Sequence, residues 1–307
     1  MDSNAKSNTT ANEQSIDLPI LKQLFEKSAD ILFQEYTFGQ SKVMFMTCDA
    51  MIDQQMYYTM VIPEIEHVFA NNQIITEQMI EKLVIPDIKK ITDKKEAITL
   101  VYSGNVLLYF EDLNVLFASN IAKRPNRNPE QTNMEVLVKG PRDNFIEDLS
   151  TNIALIRKRM PTNALCVEKM IVGERSKTNI ALLYLDDVAN KDILTELKRE
   201  LNEVSIDIMI SADSLMEEVN KKNRFLPATN YTGRPDFAIQ SITKGRFVVL
   251  VDGTAYAVIT PINLLFLLKT AEDYENPVIF STFERLLRIL GVVLGITLPA
   301  FWLALTT

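Results

Sequence analysis

The pattern of apolar and polar positions in the first third of the chain predicts a mixture of helices and short strands. An apolar stripe at helical spacing predicts one helix over residues 18–36, and a second is predicted from Thr76, as N-cap, to Val84. Short apolar runs between turn residues predict strands over 42–47, 98–102, 106–110 and 115–118. This order is typical of an α+β unit built on an antiparallel meander.

A second set of elements follows a polar, proline-containing segment at 123–132. Gly140-Pro141 is expected to open a long helix that ends at Arg157-Lys158-Arg159, because proline suits a first helical turn and basic residues suit a last one. Asp252-Gly253 is a hairpin signal. The other apolar runs predict strands over 135–138, 166–173, 179–185, 206–210, 247–251 and 255–260, and helices over 187–204, 211–220 and 235–243.

The C-terminal region is apolar without a polar face. No charged residue occurs from Ile289 to Leu305, a run of 17 residues, and a membrane span needs about 20. Arg285 and Arg288 precede the run and Trp302 lies near its far end, so the positive-inside rule places the N-terminal region in the cytoplasm. A buried core helix is the alternative interpretation.

The predicted fold class is therefore α/β, of the α+β kind, with two α/β subdomains that have mixed or antiparallel sheets. One C-terminal transmembrane helix follows them. The expected divisions are a disordered tail over 1–16, an N-terminal α/β subdomain over 17–139, a connecting helix over 140–160, a second α/β subdomain over 161–283, and a transmembrane segment over 286–307 that begins a truncated membrane domain.

Composition and motifs argue against several function classes. The net charge of −8 is the opposite of that expected for a nucleic-acid-binding protein. Cys48 and Cys166 lie far apart in apolar runs, which indicates buried free thiols in a reducing compartment. The chain has one histidine, His67, and no glycine-rich phosphate loop. We therefore predict no catalytic residues, no metal, no cofactor and no enzyme activity.

Short basic or mixed-charge signals at predicted helix or turn ends are the remaining polar features. One interpretation is capping and solvation, and the other is ion pairs that hold the subdomains to each other or to a partner, a role that suits arginine. We expect Arg157 or Arg175 to pair with an acidic residue across the subdomain boundary. The candidate interface residues are Arg142, Asn152, Arg157, Arg175, Lys177, Arg234 and Asp236.

Several short motifs occur in a fixed order along the chain: Gly140-Pro141-Arg142, Thr151-Asn152, Leu155-Ile156-Arg157-Lys158-Arg159, Gly173-Glu174-Arg175-Ser176-Lys177-Thr178, Arg234-Pro235-Asp236, Gly245 to Thr254, Ala271-Glu272-Asp273-Tyr274, and Arg285 to Arg288 followed by Leu298-Pro299. With these motifs the sequence, from about residue 40 to its end, resembles the A-type subunits of the spore germinant receptors of endospore-forming bacteria. The segment 211–218 departs from the family pattern.

The resemblance implies a subunit of a nutrient-sensing receptor in the spore inner membrane. Such a receptor is formed with a transporter-like B subunit and a lipoprotein C subunit. The A subunits resemble an oligomeric, ion-conducting part, and the nutrient is expected in the B subunit, so this chain would transmit the signal to ion release. The alternative is a nutrient-binding module with its ligand in the cleft between the two subdomains.

Overall fold

The structure is a computed structural model that describes residues 16–72, 74–123, 143–209, 211–219, 229–263 and 278–306. The chain forms two compact units. Unit 1 comprises Met1–Arg124 with Pro161–Asn163, and unit 2 comprises Pro125–Met160 with Ala164–Thr307. Each unit contains a five-stranded antiparallel sheet.

The sheet of unit 1 has the order β1-β2-β4-β5-β3. Its strands are β1 (Ile31–Phe38), β2 (Ser41–Cys48), β3 (Lys89–Ile91), β4 (Asn105–Phe110) and β5 (Val115–Asn120). Its helices are α1 (Leu18–Leu24), α2 (Gln54–Met56), α3 (Ile62–Asn71), α4 (Glu77–Ile80) and α5 (Lys94–Tyr102), and one π-helical turn (Tyr57–Val61) precedes α3.

Both faces of the unit 1 sheet are covered. On one face, the alternate residues of β2, β4 and β5 pack with Val61 of the π turn and Ile65 of α3. α5 contacts β2 and β4, and its Tyr102 ring packs edge-on against Phe25. Every residue of β4 is consequently buried, as expected of a central strand with two covered faces.

Two predictions for unit 1 are wrong. The helix predicted over 18–36 ends at Leu24, because the residues of β1 pair along their whole length with β2. The strand predicted over 98–102 is the second half of α5. Asp93 caps this helix by accepting a hydrogen bond from Lys95 N, and the helical spacing of Ala97 and Val101 places both in the core. The predicted helix at 76–84 shortens to α4.

The sheet of unit 2 has the order β6-β7-β9-β10-β8. Its strands are β6 (Leu165–Val172), β7 (Thr178–Leu185), β8 (Asn230–Thr232), β9 (Phe247–Val251) and β10 (Ala257–Thr260). Its helices α6 (Leu149–Arg157) and α9 (Pro235–Ile242) cover one face, and α7 (Lys191–Glu203) and α8 (Ala212–Val219) cover the other.

Two predictions for unit 2 need correction. The helix expected to open at Gly140-Pro141 begins only at Leu149, because residues 143–148 are not helical and Asp148 caps the helix with a 2.7 Å hydrogen bond from Thr151 N. Residues 206–209 form no strand, since their backbone supports a turn instead. Residues 140–142 and the strand predicted over 135–138 lie outside the described residues.

The last helix is apolar and exposed. α10 (Val278–Thr306) includes a 28-residue stretch, Ile279–Thr306, in which the most apolar 18 consecutive residues have a mean hydropathy of 2.1 and are not buried by protein. By length and composition it is able to cross a membrane. The predicted fold class, two antiparallel α/β units followed by one such helix, is confirmed.

Candidate functional site

A buried asparagine fixes the loop that leads into α6. The side chain of Asn152 is fully buried. Its Nδ2 donates to the carbonyl of Ile146 at 2.5 Å, and its Oδ1 accepts from the amide of Ile146 at 2.8 Å. An asparagine amide has both a donor and an acceptor, so this one residue satisfies both backbone groups of Ile146. The loop is thereby held against its own helix.

The same loop is attached to the β9–β10 hairpin. Asp252 Oδ1 accepts from Leu149 N at 3.2 Å, and Gly253 N donates to the carbonyl of Glu147 at 2.8 Å. The first bond uses the amide of Leu149 at the start of α6, which has no intrahelical acceptor, and the second uses the carbonyl of Glu147 in the loop before the helix. The position of α6 on the sheet is therefore set by the hairpin that Asp252-Gly253 predicted.

A buried ion pair lies at the start of α9. Arg234 is only 4% exposed, and it binds the Asp236 carboxylate with two nitrogens, Nε to Oδ1 at 3.0 Å and Nη2 to Oδ2 at 2.5 Å. The Arg234 amide also donates to Thr232 Oγ1 at 3.1 Å. Such a two-point guanidinium–carboxylate pair is strong and directional. It fixes the turn between β8 and α9.

This ion pair and Asn152 belong to one connected region of unit 2. The amide of Phe145, in the loop before α6, donates to the carbonyl of Gly233 at 2.8 Å, directly before Arg234. We call Asn152, Arg234 and Asp236 the buried polar cluster. Its members bind backbone groups or each other, and the Phe145–Gly233 bond joins the loop before α6 to the start of α9.

Arg157 lies at the C-terminal end of α6. It is fully buried, and it is the bulkiest of the fully buried side chains in the described part of the chain. A positive charge in the last turn complements the helix dipole. Its neighbour Arg159 is partly exposed and pairs with Asp143 at 2.8 Å.

The turn that joins β6 to β7 presents two cationic side chains to solvent. Arg175 is 77% exposed, and its nearest carboxylate, Asp207 of the same unit, is 4.0 Å away and 69% exposed. Lys177 is also exposed and has a left-handed backbone, with φ of +48°. Because both ions are solvated, this ion pair contributes about 0–1 kcal/mol to the free energy of unfolding.

The backbone of this turn is nevertheless held firmly. The amides of Glu174 and Arg175 donate to the carbonyls of Ile206 and Asp207 at 3.0 and 2.9 Å. Ser176 Oγ accepts from the amide of Met209 at 3.1 Å. We call residues 173–178 the basic turn. It combines exposed cations with a backbone held by hydrogen bonds.

The conformation of the basic turn depends on Gly173, which has φ of +89°. Gly173→Ala is expected to lower the stability of unit 2 by about 1–2 kcal/mol through the left-handed backbone alone. A further loss of about 1 kcal/mol should follow, because the new Cβ would overlap Ser176 Oγ and break its bond to Met209 N.

Gly253→Ala is the matched control for Gly173→Ala. Gly253 also has a positive φ, +80°, but no atom lies within 4 Å of an added Cβ. Urea denaturation of both variants should show the larger loss at Gly173. Equal losses would mean that Ser176 does not hold the turn.

A tyrosine network on the other face of unit 2 was not predicted. Tyr184 OH donates to Glu168 Oε1 at 2.5 Å, and Lys198 Nζ lies 2.6 Å from the same oxygen. Burial, followed by the hydrogen bond to Glu168, raises the pKa of Tyr184 well above its usual value. The three residues lie on β6, β7 and α7, so no local sequence motif connects them.

The groups expected of a catalytic or metal site are dispersed. Within the described ranges, no group of three or more His, Cys, Asp or Glu side chains has the geometry to hold a metal ion. His67 lies on α3, where its Nε2 is 2.9 Å from Asn71 Nδ2 on the helix surface. Cys48 and Cys166 are buried free thiols in different units, as their apolar surroundings predicted.

The predicted interface residues thus separate into two groups. Asn152, Arg157, Arg234 and Asp236 have little contact with solvent, whereas Arg175 and Lys177 are exposed. Arg142 lies outside the described residues. The role of any of them at an interface stays a prediction.

Comparison with known proteins shows what the whole arrangement is similar to. The family model described as Bacillus/Clostridium GerA spore germination protein matches residues 19–307. Spore germination protein XA of Bacillus anthracis is 41% identical over 209 residues, which cover 68% of this chain and 42% of that protein. Spore germination protein B1 of Bacillus subtilis strain 168 is 28% identical over 295 residues, which cover 95% of this chain and 61% of that protein.

A solved structure supports the fold. The N-terminal domain of the A subunit of the Bacillus megaterium spore germinant receptor GerK3 matches with a TM-score of 0.63 and 22% identity, covering 82% of this chain and 98% of that chain. At this identity the likeness establishes the fold alone. The chain spans about half the length of the curated relatives it matches.

Proposed function

Because this chain belongs to the Bacillus/Clostridium GerA family of spore germination proteins, we propose that it is an A subunit that transmits a nutrient signal to ion release. The receptor would lie in the spore inner membrane, with a transporter-like B subunit, a lipoprotein C subunit and further copies of the A subunit. Residues 1 to about 283 would face the cytoplasm, since Arg285 and Arg288 precede the uncharged part of α10.

One observation carries the proposal. The two α/β units continue, in the same chain, into an exposed apolar helix of membrane-spanning length. A chain of this kind places folded units beside a bilayer and links them covalently to the membrane-embedded part of the same chain. Ligand binding elsewhere in a complex then shifts the equilibrium between two arrangements of such units, and this shift is the signal.

The internal structure of unit 2 suits such a role. The members of the buried polar cluster bind backbone groups and each other, so unit 2 is able to move as one body. The basic turn provides a contact surface whose cationic side chains are exposed and whose backbone is fixed. A partner with an exposed carboxylate would complement this surface.

Spores that lack this chain should test the proposal. We expect them to lose ion release in response to at least one nutrient, and to recover it when the complete protein is supplied from a second locus. A nutrient whose receptor uses a different A subunit is the internal control, because its response should be unchanged. Normal release for every nutrient tested would contradict the proposed function.

The alternative function is a nutrient-binding module, for which the sequence predicted a ligand in the cleft between the two subdomains. The observation that favours such a module is instead a cavity within unit 2. It has a volume of about 340 Å³ and lies between the end of β6 and the end of α7, where Met170, Glu174, Leu201 and Glu203 contribute to its wall. Calorimetry of the chain in detergent against amino acids and sugars separates the two functions. Micromolar binding of one nutrient would favour the binding module.

A further inference from the structure

The first three turns of α10 are amphipathic. Ile279, Phe283, Leu286 and Leu290 recur at helical spacing on one face, and Phe280 and Leu287 widen it. All six side chains are exposed, from 81% for Ile279 to 48% for Leu290. We call Ile279, Phe280, Phe283, Leu286 and Leu287 the juxtamembrane face.

The opposite side of these turns is polar and less exposed. Ser281 is only 3% exposed, so protein covers it. Glu284 and Arg288 pair with each other at 3.3 Å, one turn apart, and both are partly buried. A helix in water shows the reverse arrangement, with its polar side outward. Burying the five residues of the juxtamembrane face in an apolar phase would be favourable, because large apolar side chains would then leave water.

The continuity of α10 gives a second reason for an apolar phase at this height. The juxtamembrane face lies on the same unbroken helix as the uncharged run, and Leu286 and Leu287 come directly before Arg288 and the first residue of that run, Ile289. At 1.5 Å per residue these leucines lie only about 3–5 Å from the run along the helix axis, and the charge of Arg288 is paired with Glu284. The remaining apolar residues, Ile279, Phe280 and Phe283, lie about one to two turns before Leu286, at the level of the lipid headgroups.

We propose that the juxtamembrane face inserts into the phospholipid leaflet that receives the N-terminal end of α10. Its occupant is lipid: acyl chains against Leu286 and Leu287, and the headgroup boundary against Phe280 and Phe283. This proposal rests on the membrane anchor of the proposed function, and it adds that the contact with lipid begins near Ile279, about ten residues before the uncharged run. The face would then set the height and rotation of α10 in the leaflet.

Tryptophan fluorescence of the whole chain in vesicles of phosphatidylcholine and phosphatidylglycerol tests this contact. Trp302 is the only tryptophan, so Trp302→Phe gives a silent background for Phe283→Trp. We expect vesicles with brominated acyl chains to quench Phe283→Trp, whose emission should also shift to shorter wavelength on reconstitution. Phe280→Trp is a second variant that should behave in the same way. Tyr58→Trp, at an exposed position of unit 1, should respond only to aqueous acrylamide.

The outcomes separate this proposal from the membrane anchor. Quenching of Phe283→Trp and Phe280→Trp by acrylamide and not by brominated lipid would overturn it. If neither acrylamide nor brominated lipid quenches the two variants, the proposal is also overturned, because protein, such as a second copy of the chain, would then cover the juxtamembrane face. Trp302 of the unchanged chain reports on the span itself. If brominated lipid also fails to quench Trp302, both the proposed membrane anchor and the proposed lipid contact of the juxtamembrane face are contradicted.

Discussion

Replacing Arg234 with alanine is expected to lower the free energy of unfolding of unit 2 by about 3–5 kcal/mol. The substitution removes both hydrogen bonds to Asp236 and leaves that carboxylate in a place with little access to water. The large loss comes from leaving the Asp236 carboxylate, 13% exposed, without the Arg234 cation and with the Phe237 amide as its hydrogen-bond donor, and not from the strength of the pair itself. It is a large part of the roughly 5–15 kcal/mol that stabilises a typical domain.

Hydrogen exchange of the amides of β9 measures this loss in unit 2 without interference from unit 1. All residues of β9 are buried at the centre of the sheet, so their exchange reports on opening of the whole unit. Arg234→Ala should speed this exchange by about two to four orders of magnitude, since each tenfold step corresponds to about 1.4 kcal/mol.

Arg175→Ala is the control for Arg234→Ala, since it breaks an ion pair between exposed side chains. We expect a loss of about 0–1 kcal/mol. If both variants exchange at the same rate, the Arg234–Asp236 pair is not what holds the β8–α9 turn. A double-mutant cycle with Asp236→Ala would isolate the coupling between the two partners.

The fold class was predictable because hairpins and buried strands leave local signals. The β9–β10 hairpin contains an Asp-Gly turn between two apolar runs, and β6 and β7 are apolar runs on either side of a polar turn. Where the local sequence pattern fitted both a helix and a strand, pairing with a neighbouring strand determined which of the two formed. Residues 31–36 continue a helical apolar stripe, yet they join β2 because that partner strand buries Ile31 and leaves alternate residues exposed.

The candidate site was less predictable, because its contacts join distant parts of the chain. Arg234 and Asp236 were selected from one motif and the structure pairs them, but Ile146, the partner of Asn152, follows only from the path of the backbone. The bond from Leu149 N to Asp252 spans more than a hundred residues. Exposure was equally hidden in the sequence: Arg157 and Arg175 have the same chemistry, and the fold buries one and exposes the other.

This difference in exposure decides which substitution is able to test signalling. Loss of Asn152 or Arg234 should destabilise unit 2, so a failed response would not distinguish transmission from folding. Arg175 is exposed, its side chain contributes little to stability, and the backbone bonds of the basic turn do not depend on its charge. We therefore expect Arg175→Glu to change the charge of the basic turn and to leave the fold of unit 2 intact.

The most direct test measures receptor level and nutrient-triggered ion release in spores that carry the complete protein with Arg175→Glu. Arg199→Glu is the matched control, an exposed charge reversal on α7 of the same unit. If this chain transmits the signal through the basic turn, Arg175→Glu should abolish release at an unchanged receptor level, and Arg199→Glu should release ions normally. Normal release from Arg175→Glu, or loss of release together with loss of the receptor, would contradict transmission through this surface.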